Sequence, residues 1–89
     1  MRFDFSDKRV LVTGGTRGIG NAVAKAFLTA GAIVAVNGRS EQSVNAAIKA
    51  MGDNKRLISA PGDIGAVAGC EASVNLAIES LGGLDILIN

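Results

Sequence analysis

The chain has 89 residues, of which 48% are hydrophobic and 19% charged, a composition typical of one small globular domain and not of a disordered segment. Its net charge of +1 excludes a general attraction to nucleic acid or to an acidic membrane surface, so any anion site must be local. The absence of histidine and the single cysteine exclude a disulfide within the chain and the commonest metal ligand. The apolar runs are too short to span a membrane, and no signal peptide is visible, so we expect a cytoplasmic protein.

Four apolar runs rich in β-branched residues predict strands at residues 10–12, 33–36, 57–58 and 86–88. Polar and apolar residues do not alternate within these runs. Continuous apolar runs of this kind are typical of parallel strands that are buried on both faces. The single proline, Pro61, follows the third run, where its missing N–H does the least harm to a strand.

Three stretches between these strands have helical periodicity, with apolar residues at steps of three and four. Ser40 is the N-cap expected for the second helix. Gly65 and Gly69 weaken the start of the third, each by roughly 1 kcal/mol relative to alanine. The stripes expected to face the core are Ile19, Val23, Phe27 and Ala30, then Val44, Ala47, Ile48 and Met51, then Val67, Cys70, Val74, Ile78 and Leu81, and the stop signals are Gly31, Gly52 and Gly82.

Strands and helices therefore alternate along the chain in the order β-α-β-α-β-α-β. Such alternation predicts an α/β fold with a parallel sheet and right-handed crossovers, which is part of a doubly wound Rossmann fold. We expect residues 1–89 to form one dinucleotide-binding domain that is incomplete. The sequence stops directly after the apolar fourth strand without a turn or a polar cap, so we expect a chain truncated after that strand.

A glycine-rich stretch, TGGTRGIG at residues 13–20, joins the first strand to the first helix. Glycine permits the tight turn and lets a pyrophosphate approach the backbone, while the helix N-terminus offers free N–H groups to the phosphates. A P-loop would need lysine after the last glycine, but Asn21 and Ala22 follow Gly20. The spacing G-x-x-x-G-x-G also differs from the common dinucleotide fingerprint G-x-G-x-x-G.

This spacing, preceded by Thr13, resembles the pattern T-G-x-x-x-G-x-G of the short-chain dehydrogenase/reductase family. Asp63-Ile64 is similar to the family's pair that contacts adenine, and LDILIN at residues 84–89 is similar to the start of its fourth strand. The resemblance covers essentially the whole chain. It implies an oxidoreductase that reduces a carbonyl or oxidises an alcohol, of a type similar to 3-oxoacyl-thioester reductases, and a homo-oligomer with no nucleic-acid or membrane partner.

The residues after the second strand predict the cofactor. An acid about 20 positions beyond the glycine loop favours NAD, but Gly38 stands where the family's acid usually lies and Arg39 follows it. Together with Arg17 in the loop, Arg39 could bind a 2′-phosphate, so we expect NADP. Ser40 could add a hydroxyl donor. The cofactor-binding residues predicted from sequence are Gly14, Gly15, Thr16, Arg17, Gly18, Ile19, Gly20, Arg39, Ser40, Asp63 and Ile64.

The residues that would carry out catalysis are missing. The family's Ser, Tyr and Lys lie beyond the fourth strand, and the chain contains no tyrosine. We therefore predict no catalytic residue and no metal ligand, an inactive 89-residue chain, and aggregation or weak NADP binding when it is isolated. Two other hypotheses stay open: a non-catalytic NADP-binding module, and a remnant without a ligand. Buried structural packing is expected for Cys70, and solvated surface roles for Asp7, Asp53, Asp85 and the lysines Lys8, Lys25, Lys49 and Lys55.

Overall fold

The computed structural model describes residues 4–16 and 18–89. Its elements follow the predicted order, and each strand begins and ends within one residue of the apolar run that predicted it. The elements are β1 (Arg9–Val12), α1 (Gly18–Thr29), β2 (Ile33–Val36), α2 (Glu41–Ala50), β3 (Leu57–Ser59), α3 (Val67–Leu81) and β4 (Ile86–Ile88).

The four strands form one parallel sheet in the order β3-β2-β1-β4. β1 is central, with Leu11 in register with Ala35 of β2 and with Leu87 of β4. Because all strands run the same way, the loops that leave β1, β2 and β3 emerge at one edge of the sheet, which we call the carboxyl edge. The predicted α/β fold, a partial doubly wound sheet, is confirmed.

Alternate residues of the central strands bury themselves on opposite faces of the sheet. On one face, Val10, Val12 and Val34 pack with Leu28 of α1 and Ile48 of α2. The other face holds a smaller cluster of buried residues under α3, made of Leu11, Ala35, Ala60 and Ala77. Both faces of the sheet are thus covered, which explains why its strands have no polar face.

The residues predicted to cap the helices do so at the start of α2 and at the end of α3. The Ser40 side chain accepts a hydrogen bond from the Ser43 N–H and caps α2. Gly82 adopts the left-handed conformation, with φ 77°, and caps the end of α3. The Arg56 guanidinium donates to the Leu28 and Ala32 carbonyls at 2.9 and 3.3 Å, so a cation lies at the end of α1, where the helix dipole favours it.

The prediction of the buried face was wrong for the start of α1 and for part of α3, where Val74 and Leu81 of the predicted stripe do pack against the core. Ile19 is 85% exposed and Val67 is 77% exposed, and Cys70, expected in the core, is exposed as well. The residues that α3 buries are Ser73 and Ala77. This face approaches the sheet closely, so small side chains fill it, and one of them is polar because a hydrogen-bond partner lies beneath it.

Asp85 is exposed, as predicted, but it also has a partner that the sequence analysis did not identify. Its carboxylate accepts hydrogen bonds from the Arg9 Nε at 3.0 Å and the Arg9 N–H at 2.8 Å, while the Arg9 guanidinium also donates to the Gly82 carbonyl. These bonds, first those from the side chain and then that from the backbone, lower the pKa of Asp85 from 3.8 to about 2. The pair joins β1 to the turn before β4, at the edge opposite the carboxyl edge. Asp7, Asp53 and the four lysines are exposed, as predicted.

Within residues 4–16 and 18–89, no helix combines the length and the apolarity that crossing a membrane requires.

Candidate functional site

A groove opens at the carboxyl edge, between the loops that follow β1, β2 and β3. Its volume is about 340 Å³, and a second, more open groove of about 580 Å³ lies beside it along the start of α2. The two share Thr16 and Arg39, so they form one continuous surface. The first is lined by Gly14, Thr16, Asn37, Gly38, Arg39, Gly62, Asp63, Ile64 and Gly65, and the second by Thr16, Arg39, Ser40, Ser43, Ala46 and Ala47.

The glycines of the loop after β1 have distinct physical roles. Gly14 and Gly18 have φ of 62° and 63°, in the left-handed region that other residues rarely adopt. Gly20 is different, because a Cβ there would overlap the Gly14 carbonyl oxygen. Gly15 is buried, and a Cβ there would lie 3.1 Å from Val36 Cγ1. The first turn of α1 therefore lies directly against the loop.

Arg17, the loop arginine predicted to bind the 2′-phosphate, lies outside the described residues. Ile19, two positions further along, is exposed and leaves the core to other residues of α1.

Asn37 is a residue of the groove lining that the sequence analysis missed. It lies directly after β2, is 1% exposed, and accepts a hydrogen bond from the Gly14 N–H on Oδ1 at 3.2 Å. Its Nδ2 lies 3.0 Å from the Gly62 carbonyl and 2.9 Å from Ser73 Oγ. Ser73 in turn donates to the Ala60 carbonyl at 2.6 Å. One side chain therefore joins the glycine loop, the loop after β3 and helix α3.

The backbone of Asn37 strengthens the same junction. Its N–H donates to the Val12 carbonyl at 3.0 Å, and its carbonyl accepts from the Gly15 N–H at 2.9 Å. A polar residue at the end of an apolar strand suggests only a loop. Burial is what makes Asn37 informative, because a buried amide must find partners on every side, and the sequence does not show which residues surround it.

Thr13 fixes the other side of the glycine loop. Its N–H and its hydroxyl both donate to the Ile88 carbonyl at the end of β4, at 2.9 and 3.0 Å. The first residue of the loop is therefore held to one neighbouring strand, while Gly14 and Gly15 are held by Asn37 from the other. Bonds on both sides fix the loop's position before any ligand arrives.

The loop after β3 brings Asp63 and Ile64, two of the predicted cofactor-binding residues, to the lining of the groove. Asp63 Oδ1 accepts a hydrogen bond from the Gly65 N–H at 2.9 Å, which holds the turn, and Ile64 is 46% exposed. Gly69, which weakens the helix by propensity, has a packing reason: a Cβ there would overlap the Asp63 backbone. The glycine lets α3 begin close under this loop.

Arg39 supplies positive charge to the surface. It is exposed and lines both grooves, and among the residues that the structure describes it forms no hydrogen bond or ion pair. Ser40 lines the second groove, where its hydroxyl also caps α2. Ser43, which the sequence analysis did not select, lines it too, with its hydroxyl 3.1 Å from that of Ser40. A cation, hydroxyls and a helix start thus lie together, a combination suited to an anion.

No cluster of three metal-ligating side chains occurs in the part of the chain that the structure describes. The site is therefore a polar groove with glycine walls, an exposed arginine and two helix starts, and its geometry suits an elongated ligand that carries phosphates.

Comparison with known proteins identifies the family. A model of the short chain dehydrogenase family matches residues 8–89. The chain belongs to this family. It is 36% identical over 89 residues to the uncharacterized oxidoreductase YvrD of Bacillus subtilis, a match that covers all of this chain and 34% of that protein. It is 34% identical to NADPH-dependent aldehyde reductase 1 of Arabidopsis thaliana, over 92% of this chain and 31% of that protein.

A solved relative agrees in three dimensions. The structure of 3-ketoacyl-(acyl-carrier-protein) reductase from Brucella melitensis, complexed with NADH, superposes with a TM-score of 0.84 at 28% identity, over 94% of this chain and 34% of that one. The chain thus spans about a third of the length of the curated relatives it matches. It corresponds to the amino-terminal portion of a family of oxidoreductases, as the resemblance of its glycine loop implied.

Proposed function

We propose that these residues form the NADP-binding part of an oxidoreductase that interconverts a carbonyl compound and an alcohol. The observation that supports NADP most directly is the exposed Arg39 guanidinium on a groove whose wall, at Gly38, carries no acid. A 2′-phosphate brings two negative charges to this region. A planar guanidinium binds such a group with paired, charge-assisted hydrogen bonds.

The glycine loop fits the rest of a dinucleotide. At Gly20 a side chain would overlap the loop backbone, so glycine keeps the start of α1 against the turn. The N–H groups of that helix start can then bind a pyrophosphate. Asp63 and Ile64 lie on the opposite wall of the groove, where an adenine ring could rest on the exposed part of Ile64.

The choice of NADP over NAD rests on this chain's own residues. The Arabidopsis relative is named as NADPH-dependent, whereas the Brucella reductase was solved with NADH, so relatives point both ways. In this chain no carboxylate stands at the end of β2 to bind the ribose hydroxyls or repel a phosphate. In this proposal Arg17 supplies a second guanidinium, from the glycine loop, for the 2′-phosphate.

The chemistry follows from the cofactor, which supplies or accepts a hydride when it is bound. The residues of this chain bind and orient it. We assign proton transfer to residues outside these 89, because they contain neither tyrosine nor histidine. Within the family we place the protein with reductases of 3-oxoacyl thioesters, in accord with the sequence of its loop and with the Brucella relative. We expect the intact enzyme to be a cytoplasmic homo-oligomer.

Exchange of Arg39 tests the proposal. Arg39→Asp in the intact protein should raise the Kd for NADP by about tenfold or more, since a hydrogen bond to a charged group contributes roughly 1.5–3 kcal/mol. The Kd for NAD should change far less. Both constants can be measured by calorimetric titration, with Lys55→Asp, a change of the same charge at another exposed position, as the control. Unchanged NADP affinity in Arg39→Asp would refute the assignment.

A non-catalytic NADP-binding module is the second candidate, favoured by the absence of tyrosine and histidine from the 89 residues. The two candidates differ in turnover. The enzyme oxidises NADPH in the presence of an aldehyde or a 3-oxoacyl thioester, whereas the module binds NADPH and leaves it unchanged. Spectrophotometry of NADPH with a panel of such carbonyl compounds separates them.

A further inference from the structure

Residue 38 is closed to any side chain by its neighbours. A Cβ there would lie 2.5 Å from Thr16 Cγ2, 2.9 Å from Val44 Cγ2 and 3.3 Å from Ser43 Oγ. The shortest of these contacts is with the glycine loop, and the next two are with helix α2. Gly38 is also buried at the end of β2.

The backbone does not impose this restriction. Gly38 is not among the residues with positive φ, so its backbone would accept an ordinary residue. Only space excludes one. Thr16 and Val44 are β-branched and therefore stiff about χ1, and Val44 is fully buried in the core, so neither methyl group can easily turn away. Thr16, half-buried at the surface, makes the closest contact and is the residue whose change would open the space.

Position 38 is also where a carboxylate would have to stand to favour NAD. It lies two residues after β2, about 20 positions beyond the glycine loop, and an acid there binds the ribose hydroxyls of NAD. We propose that Thr16 determines cofactor specificity: its γ-methyl group keeps residue 38 a glycine, and so excludes the carboxylate from the NADP site. This inference rests on the proposed function, in that the groove takes a dinucleotide.

The consequence is that one substitution cannot reverse the preference. The carboxylate of Asp at position 38 could bind the ribose hydroxyls of NAD. The same side chain would push the glycine loop away from β2 and so disturb the phosphate site. Removal of the Thr16 methyl relieves the shortest of these contacts, so that the same aspartate would have to displace only the Val44 methyl group, which lies 2.9 Å from its Cβ. Thr16→Ser is the sharpest change, because it deletes this methyl group and keeps the hydroxyl in the groove.

The steric part can be tested by stability alone. Gly38→Ala should lower the Tm of the intact protein by roughly 5 °C or more, because an overlapped methyl group must displace its neighbours. In a Thr16→Ser background, Gly38→Ala should lower the Tm by less than half of that amount. Thr29→Ser, which deletes an equivalent methyl group at the exposed end of α1, is the control background and should leave the full penalty. Equal penalties in all three backgrounds would overturn the proposal.

The specificity part is tested by titration with NAD and NADP. Gly38→Asp should gain little NAD affinity, and Thr16→Ser/Gly38→Asp should bind NAD about tenfold more tightly than the single variant. If the single variant gains as much as the double, Thr16 does not set specificity. A single variant that does not fold beside a double variant that does supports the proposal, and failure of both to fold contradicts it. If the unaltered protein binds neither cofactor, the proposed function is wrong, while the stability comparison still decides whether Thr16 closes position 38.

Discussion

The two edges of the sheet are held together by different chemistry. At the carboxyl edge, the loops are joined by the neutral, buried amide of Asn37 and by glycines that permit backbone contact. At the opposite edge, Arg9 and Asp85 form an ion pair whose side chains are 34% and 31% exposed. Both devices join residues that are distant in sequence. Only the second is an ion pair.

This difference follows from what each edge must do. In our proposal the carboxyl edge binds phosphates, and an ion pair between its loops would add a second carboxylate beside that of Asp63, which would repel the ligand and lower its affinity. A neutral amide fixes the same loops and adds no charge that would oppose the positive charge of Arg39 and of the helix N-terminus. The opposite edge binds no ligand in our proposal, so an exposed ion pair does no harm there and adds little stability.

Asn37→Ala should have the largest effect on stability, because it removes the side chain that joins the loops of the carboxyl edge. It leaves the Gly14 N–H and the Gly62 carbonyl without their partner, and we expect a loss of about 3 kcal/mol in the free energy of unfolding. Urea unfolding of the intact protein measures it. Asn45→Ala, on the exposed face of α2, is the matched control and should change stability by a few tenths of that amount. Equal effects of the two variants would show that Asn37 does not hold these loops together.

Gly20→Ala should have the next largest effect on the free energy of unfolding. The sign of the change shows whether helix propensity or the contact with the glycine loop dominates. Helix propensity alone predicts that alanine stabilises α1 by about 1 kcal/mol. The overlap with the Gly14 carbonyl predicts a net loss of about 2 kcal/mol, since backbone atoms on one side of the contact cannot rotate away. Ala22→Gly, at an exposed position in the same helix, calibrates the propensity term. A more stable Gly20→Ala would show that the close approach is not needed.

Asp85→Asn should have the smallest effect, and the effect should depend on pH. The Arg9 partner depresses the pKa of Asp85 from 3.8 to about 2 in the folded protein. A depressed carboxyl pKa means that the pair stabilises the fold above pH 3.8 and loses this contribution as pH falls towards about 2. The difference in urea midpoint between the native chain and Asp85→Asn should shrink over this interval. Asp53→Asn, the same substitution in an exposed loop, is the matched control.

The sequence predicts those features that depend on local residues. Continuous β-branched runs locate the strands, Ser40 and Gly82 locate helix ends, and the glycine spacing locates the loop. Each of these signals acts within a few residues of the backbone that it shapes. The family assignment also followed from local motifs at fixed separations.

The features that sequence did not predict depend on what lies opposite in space. Ser73 is buried because Asn37, 36 positions away, meets it. Asp85 is paired because Arg9, 76 positions away, lies beside it. Periodicity alone marks Cys70 and Val67 as core residues, and they are exposed because α3 presents its smallest side chains to the sheet. The sequence of one segment does not show which distant residues will contact it in the folded protein.

The strand order β3-β2-β1-β4 has one further consequence. The chain builds outward from β1 to β2 and β3 on one side, then crosses back to place β4 on the other. The connection that leaves β1 therefore crosses one face of the sheet and the connection that leaves β3 crosses the other. A crevice opens at this reversal of direction, where ligands of open α/β sheets bind. Topology has already made the opening at the end of β1. The residues after Thr13 need only line it, and substitutions there can change which ligand enters without changing where it enters.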